Sequence, residues 1–333
     1  MADLLTFTPD GIYCEVGDFY IDPWRPVPRA LITHGHADHS RPGMGHYLAT
    51  RSAAPVMRHR LGDVPMDTVD YGETVTHNGV QISFHPAGHV PGSAQIRVEH
   101  KGEVWVCSGD YKTVDDGLSE PFEPVPCHAF ITESTFGLPV FKWTQQDVLA
   151  SQINDWWANN AASGTFSMLS CYALGKAQRL LRTVDTSIGP ILTHGAIEAT
   201  NQILLAQGIA LPETTLVTAD LDIKANAGAL VLATPSALNS TWARRFKPAS
   251  TAFASGWMAL RGVRRRRGAD RGFILSDHAD WDGLNTAIGQ TGAERIFVTH
   301  GYTNVFTKWL NTQGYDAKIV QTEFDGEDMD AEQ

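Results

Sequence analysis

The chain has 333 residues, with 26 Lys and Arg against 37 Asp and Glu for a formal net charge of −11; 43% of it is apolar and only 19% charged. That composition excludes an intrinsically disordered chain, and the length accommodates one large domain or two modest ones around a substantial core. No run of roughly 18 apolar residues is present to cross a bilayer, and the opening MADLLTFTPDG has no basic region with a long apolar stretch, so a soluble cytoplasmic protein with no membrane partner is expected.

In chain order, Phe19-Tyr-Ile-Asp22, Ala30-Leu-Ile-Thr33, Val80–Phe84, Val104–Cys107 and Ala129–Thr132 read as short buried strands between Gly, Pro and Asp punctuation. From Thr144 the pattern becomes helical. A helix is predicted to open there, with Thr144 and Asp147 as a capping box, and to run through Trp156 and Trp157; another is expected from Leu174 to Val184. Strand-like segments at Thr165–Leu169 and Ile191–Thr193 alternate with these helices. Residues 141–249 are therefore expected to form an α/β unit inserted between residues 1–140 and 250–325 of a first domain. Strands with polar endings return at Phe273–Ser276 and Ile296–Thr299, and residues 325–333, with five carboxylates, read as a solvated acidic tail occupying essentially 326–333. Cys14, Cys107, Cys127 and Cys171 include no Cys-x-x-Cys pair, so they read as reduced, buried small hydrophobes rather than a thiolate zinc site or a disulfide framework.

The histidines say more. His34-Gly-His36-Ala-Asp38-His39 places three imidazoles and a carboxylate within six residues at the polar end of an apolar run, a ligand density that no structural need explains. Neutral imidazole nitrogens and carboxylate oxygens hold zinc and similar ions at about 2.0–2.2 Å, so ligands one residue apart can flank an ion from a tight turn. His89, Asp110 and His300 each stand at or just past the end of another apolar run. Taken singly, each reads as well as a loop histidine or a turn aspartate. Strands lying side by side would bring all three to one sheet edge, where Asp110 is a natural bridge between two ions.

This set resembles the metallo-β-lactamase superfamily, whose His-x-His-x-Asp-His signature is matched by His34, His36, Asp38 and His39, with Asp22 matching its early aspartate. Glu133 in Thr132-Glu-Ser-Thr-Phe-Gly137, His278 in Ser276-Asp-His-Ala-Asp280 and His300 in Thr299-His-Gly301 resemble motifs A, B and C of the β-CASP nucleases. Tyr172-Ala-Leu-Gly-Lys176-Ala-Gln178 is similar to a helix-opening segment of their inserted domain. Within that family Asp22-Pro-Trp, Ser255-Gly-Trp-Met258 and Ser276-Asp-His-Ala-Asp-Trp281 are similar to the bacterial ligase-associated DNA repair exonucleases.

The resemblance implies an α/β (α+β) fold: a metallo-β-lactamase αββα sandwich with an inserted β-CASP-like α/β cap domain. At about 110 residues the expected insert is small for that family. Two divalent ions, zinc or manganese, are implied. His34, His36, His89 and Asp110 would hold one, and Asp38, His39, Asp110 and His300 the other, with Asp22 supporting the ligands from behind. Asp38, Glu133 and His278 are the implied catalytic residues, His278 being oriented by Glu133 to protonate the leaving oxygen.

A nuclease also needs to hold a polyanion. Residues 244–271 contain nine basic residues against one acid, so Arg261, Arg264, Arg265, Arg266 and Arg267 read as a backbone-binding run, or as a solvated basic face. Lys176, behind Gly175 at a predicted helix start, reads either as a ligand for a terminal phosphate or as part of an ordinary cap. His194 repeats the Thr-His-Gly context of His300 inside the insert and is expected near substrate rather than on metal. The reading is a DNA exonuclease acting at single-stranded 5′ ends, with an ATP-dependent DNA ligase and a helicase as partners implied by the resemblance. RNA is the alternative substrate, because His at motif C is usual in RNA-processing members. A lactonase- or thioesterase-type hydrolase would use the same ligands but need neither Glu133 with His278 nor the arginine run, and a binding-only scaffold would be expected to have lost ligands.

Overall fold

A computed structural model of the chain describes residues 3–238, 240–266 and 268–323. These fall into two compact units, residues 3–141 with 277–323, and residues 142–276.

The first unit is built on two sheets. One has six strands in chain order, Thr6–Thr8, Gly11–Cys14, Phe19–Ile21, Ala30–Leu31, Tyr47–Thr50 and Met66–Val69. The other has seven, in the spatial order Asp316–Ile319, Arg295–Gly301, Ala129–Ser134, Glu103–Cys107, Ala94–His100, Val80–Pro86 and Thr74–His77. Side chains alternate across each strand, so Phe19, Ile21 and Leu31 of the first sheet meet Phe84, Ile96, Val98, Trp105 and Ile131 of the second in a shared core. Each outer face takes helices. Ala30, Tyr47 and Ala49 pack on Met57 of the helix Ala54–Leu61, and Val106, Phe130, Ile296 and Val298 pack on Leu284 and Ile288 of Trp281–Thr291 and on Phe306 and Leu310 of Thr303–Thr312. The helix Trp281–Thr291 is well specified locally: the Asp280 carboxylate accepts from Gly283 N at 2.9 Å, Gly292 closes it at φ 65°, and Leu284, Ala287, Ile288 and Thr291 make one buried stripe. The four layers are the expected αββα sandwich, a metallo-β-lactamase-like α/β fold.

Strand direction positions the site. Glu103–Cys107, Ala129–Ser134 and Arg295–Gly301 run parallel, so their carboxyl ends share one edge. Val80–Pro86 is antiparallel to Ala94–His100, itself antiparallel to Glu103–Cys107, which brings the end of Val80–Pro86 to that same edge.

The second unit is a six-stranded, wholly parallel sheet in the spatial order Thr215–Leu216, Ile191–Thr193, Leu230–Ala233, Phe166–Ser170, Ala249–Ala254 and Arg271–Phe273. Its central strands, Leu230–Ala233 and Phe166–Ser170, are buried at every position because both faces are covered. Leu169, Leu230 and Ala252 pack on Ile153 and Trp157 of the helix Gln146–Ala162 and on Leu180 of Lys176–Thr183, while Met168, Leu192 and Val231 pack on Phe246.

Three sequence expectations change here. The insert runs through 276, not 249, because Ala249–Ala254 pairs with Phe166–Ser170 and Arg271–Phe273 pairs with Ala249–Ala254. An apolar run bounded by turns looks the same whichever sheet it joins, so composition placed 250–276 in the wrong unit. The strand expected at Phe273–Ser276 is Arg271–Phe273, and the carbonyl of Ser276 instead accepts from Arg179 Nη1 at 2.5 Å. The helix expected from Thr144 begins at Gln146 without a side-chain cap, and Asp147 accepts from Val148 N rather than closing a box with Thr144. All four cysteines are buried and none forms a disulfide. Among the described residues no helix is long and apolar enough to cross a membrane. The acidic tail 326–333 lies outside the described residues.

Candidate metal centre

The site begins at Asp22, just past the strand Phe19–Ile21. It adopts φ 42°, a left-handed conformation that costs a non-glycine residue energy and persists only where its surroundings impose it. Those surroundings are explicit. Asp22 is 1% exposed, its Oδ1 accepts from Thr33 N at 2.8 Å, and its Oδ2 accepts from Thr33 Oγ1 at 2.5 Å and from His39 Nδ1 at 2.8 Å. The Thr33 hydroxyl, its proton given to Asp22, accepts from His34 Nδ1 at 3.0 Å. One carboxylate thus orients two imidazoles and leaves both Nε2 lone pairs available.

His89 arrives from the other sheet. Its Nδ1 donates to the carbonyl of Asp277 at 2.8 Å, and its backbone N–H donates to Ser93 Oγ at 3.1 Å. His34 Nε2 lies 3.1 Å from His36 Nδ1 and 3.6 Å from Asp110 Oδ2; His89 Nε2 lies 3.0 Å and 3.8 Å from the same two atoms. Four donors set tetrahedrally about 2.0–2.2 Å from one centre would stand roughly 3.3–3.6 Å apart. The spacings fit a divalent metal site, and the donor set, three imidazoles and one carboxylate, is one that zinc or manganese accepts.

A second set shares Asp110. His39 Nε2 lies 3.4 Å from Asp110 Oδ2 and 3.7 Å from Asp38 Oδ2, and His300 Nε2 lies 3.1 Å from Asp110 Oδ1. Electrostatics agree with this division. Burial, with the neighbouring His39, His89 and His36 rings, holds His34 well below its ordinary pKa, and burial beside His278 and His36 does the same to His89, which favours the neutral imidazole that a metal ligand requires. Against the cost of burial, Asp110, Asp38 and Asp22 hold His39 well above its ordinary value, while His39 and His278 hold Asp110 well below its own. Asp110, Asp38 and Asp22 together favour positive charge at this edge, an environment that suits a bound cation as well as a proton.

Beside the ligands stands a pair of different chemistry. His278 Nδ1 donates to Glu133 Oε2 at 2.8 Å, and Glu133 Oε1 also accepts from Tyr111 N at 2.8 Å. Atoms of Asp110, Glu133 and His278 lie within 4.8 Å of one another, and all three residues are buried. Two glycines admit this crowding. Gly109 at φ 56° would put a Cβ 2.6 Å from Thr33 Oγ1, and Gly301 at φ 89° would put one 2.4 Å from the Ser134 carbonyl.

All ten residues expected here, Asp22, His34, His36, Asp38, His39, His89, Asp110, Glu133, His278 and His300, belong to the first unit and converge on one edge. Sequence reading missed Thr33, Tyr111, Ser93 and Ser134, whose hydroxyl donates to the carbonyls of Thr299 and His300 at 3.0 and 2.7 Å. Their roles depend on partners up to 166 residues away, and no local pattern marks them.

The expected nucleic-acid contacts lie in the second unit. Lys176 is fully buried with its ammonium 4.6 Å over the Tyr172 ring, and Gly175 N donates to Gln178 Oε1 at 2.8 Å, so this helix start is an internal cap and not the accessible phosphate ligand expected. Arg261 and Arg265 are exposed on the helix Arg261–Arg266; the side chains of Arg264 and Arg266, and all of Arg267, lie outside the described residues. His194 caps the helix Gly195–Ala206, its Nδ1 accepting from Ala196 N at 3.3 Å, and burial lowers its pKa.

Comparison with known proteins extends this picture. The chain is 28% identical over 314 residues to a "Probable DNA ligase" of Opitutus terrae, a match covering 93% of this chain and 30% of that protein. It is 32% identical over 124 residues to "Endoribonuclease YSH1" of Saccharomyces cerevisiae, and 29% identical over 126 residues to "Cleavage and polyadenylation specificity factor subunit 3" of Dictyostelium discoideum, in each case over 36% of this chain. These matches relate the chain to the metallo-β-lactamase/β-CASP nucleases. The chain spans less than a third of the length of these curated relatives: 30%, 15% and 16% respectively. A crystal structure of a protein of unknown function from Enterococcus faecalis V583 shares the fold at a TM-score of 0.63 and 11% identity, over 89% of this chain and 79% of that one. No family model matches the sequence.

Proposed function

We propose that this chain is a metal-dependent phosphodiesterase that trims single-stranded DNA from its ends during repair, working with an ATP-dependent DNA ligase and a helicase. The observation that carries the chemistry is the Glu133–His278 pair, 2.8 Å apart and set against Asp110 at the edge of the imidazole cluster. Metal ligands alone would serve many hydrolases; an oriented buried acid beside them suits expulsion of an alkoxide leaving group.

His34, His36, His89 and Asp110 would hold one divalent ion, and Asp38, His39, Asp110 and His300 a second; bound there, the ions would offer positive charge to the phosphate and lower the pKa of water toward neutrality. The chain's own residues do the rest. Asp22 and Thr33 fix the tautomers of His39 and His34, and the Asp277 carbonyl fixes that of His89. Glu133 accepts from His278 Nδ1, leaves Nε2 to move a proton to the leaving oxygen, and stabilises the imidazolium that makes this possible.

DNA is favoured over RNA because the likeness to the ligase-named protein extends over 93% of the chain, against 36% for the endoribonuclease. A second reading, an RNA-processing nuclease, is favoured by His300 at the motif C position and by that 32% identity. Purified chain with zinc or manganese, offered 5′- and 3′-labelled single-stranded DNA and matched RNA, separates the two. A progressive mononucleotide ladder on DNA supports the proposal, and internal cuts confined to RNA would sink it.

A further inference from the structure

Beside His300 the first unit carries an open recess of about 490 Å³. It is walled by Thr303 and Asn304 at the start of the helix Thr303–Thr312, and by Ile319, Gln321 and Thr322 at the edge of the seven-stranded sheet. That volume falls within the range of about 300–1,000 Å³ usual for ligand sites. His300 belongs to both places, since its Nε2 stands 3.1 Å from Asp110 Oδ1 and the residue also lines the recess. Whatever fills the recess therefore adjoins the ion-binding edge.

The lining states what kind of group that is. Among the described residues it contains no ionisable side chain apart from His300, so it offers no fixed charge to a phosphate or a carboxylate. Its polar residues are Thr303 and Thr322, with hydroxyls, and Asn304 and Gln321, with carboxamides, against apolar Ile319 and Val320. Among the described residues neither carboxamide has a hydrogen-bond partner, and both are exposed. A carboxamide both donates and accepts, the pairing that the edge of a nucleobase or the hydroxyls of a sugar require. The outer wall is also held to the metal loop. Arg25 pairs with Glu323 at 2.6 Å, and Arg41 donates to the Glu323 carbonyl and, at 3.1 Å, to that of Asp38.

Resting on the nuclease reading above, we propose that this recess binds the nucleoside next to the scissile phosphate, with Asn304 and Gln321 as its specificity-determining residues. Charge is handled at the metal edge, and the neutral recess recognises the base and sugar. The double substitution Asn304→Ala/Gln321→Ala removes the recognition, and Thr322→Trp fills the space. Each is compared with the unsubstituted chain on a labelled oligonucleotide and on bis(4-nitrophenyl) phosphate, a diester without a nucleoside, with bound zinc measured alongside.

Two lost hydrogen bonds should raise KM for the oligonucleotide about tenfold with kcat little changed, and the tryptophan should lower kcat/KM by a similar factor or more. Turnover of bis(4-nitrophenyl) phosphate and zinc content should stay within about twofold. An oligonucleotide KM that neither variant moves overturns the recess as a nucleoside site while leaving the nuclease reading intact. So does an equal loss on both substrates, which would mark damage to the metal edge. An unsubstituted chain that hydrolyses the small diester but no DNA or RNA rejects the nuclease reading itself, and this occupant with it.

Discussion

His39 donates from Nδ1 to Asp22 at 2.8 Å, and that one contact joins a residue in a left-handed conformation to the donor set. By holding Nδ1, Asp22 fixes Nε2 as the nitrogen of His39 that faces Asp110, 3.4 Å away.

Replacing Asp22 with alanine should therefore weaken metal binding by about 10- to 100-fold without removing a ligand. Asp22→Asn, which tolerates the left-handed backbone and keeps an acceptor, should lose less. Competition with a chromophoric zinc chelator checks this; equal affinities for all three proteins would show that Asp22 does not tune the ligands.

His278→Ala should lower turnover by about 10²- to 10⁴-fold, the range typical of a lost general acid, with zinc content unchanged. Glu133→Gln keeps the shape of the pair but not its charge, and should fall between that variant and the unsubstituted chain. Metal analysis beside single-turnover rates is the check, and loss of metal together with rate would move His278 from acid to ligand.

Gly109→Ala tests packing rather than chemistry. A Cβ there would approach Thr33 Oγ1 to 2.6 Å at a φ of 56°, so the Thr33–Asp22 contact must shift. A loss of about 1–3 kcal/mol in stability, with weaker zinc binding, is expected from strain of this kind. Chemical denaturation with and without zinc measures both, and an unaltered midpoint would mean that the turn can relax.

Removing metal with a chelator should abolish phosphodiester hydrolysis and lower the melting temperature, because an ion that binds only the folded chain adds about 2.7 kcal/mol at a hundred times its Kd. Restoring zinc or manganese should recover both. Calorimetry across a metal titration reads the second effect independently of activity.

Arg261 and Arg265 are exposed, and if each meets a phosphate, the double alanine variant should reduce the slope of log affinity against log salt for single-stranded DNA by about 1.4. Fluorescence anisotropy at several salt concentrations measures this slope. An identical slope assigns those arginines to a solvated face.

Much of the site was legible because its chemistry is concentrated. His34, His36, Asp38 and His39 share one turn, and a turn that dense in donors keeps its meaning in any fold. His89, Asp110 and His300 were legible as polar groups closing apolar runs, and the parallel pairing of Ala129–Ser134 with Glu103–Cys107 and Arg295–Gly301 shows why such endings meet. Lys176 stayed open between two readings because glycine before lysine at a helix start signals an accessible anion site and a buried cap equally well, and its burial favours the cap. The boundary at 276 was missed for the same reason, since Ala249–Ala254 carries no mark of the sheet it joins.

Residue type alone determined which groups could bind a cation or carry a proton, because those capacities belong to imidazole and carboxylate wherever they stand. Sequence order also determined that the unit holding them is interrupted by a second α/β unit. Only the tertiary structure decided that His34 Nε2 and Asp110 Oδ2, 76 positions apart, stand 3.6 Å from each other, that Thr33 rather than a charged residue links His34 to Asp22, and that a neutral recess opens beside His300. Those distances follow from how the two sheets register across their shared core, a balance of packing over dozens of side chains that no short motif encodes.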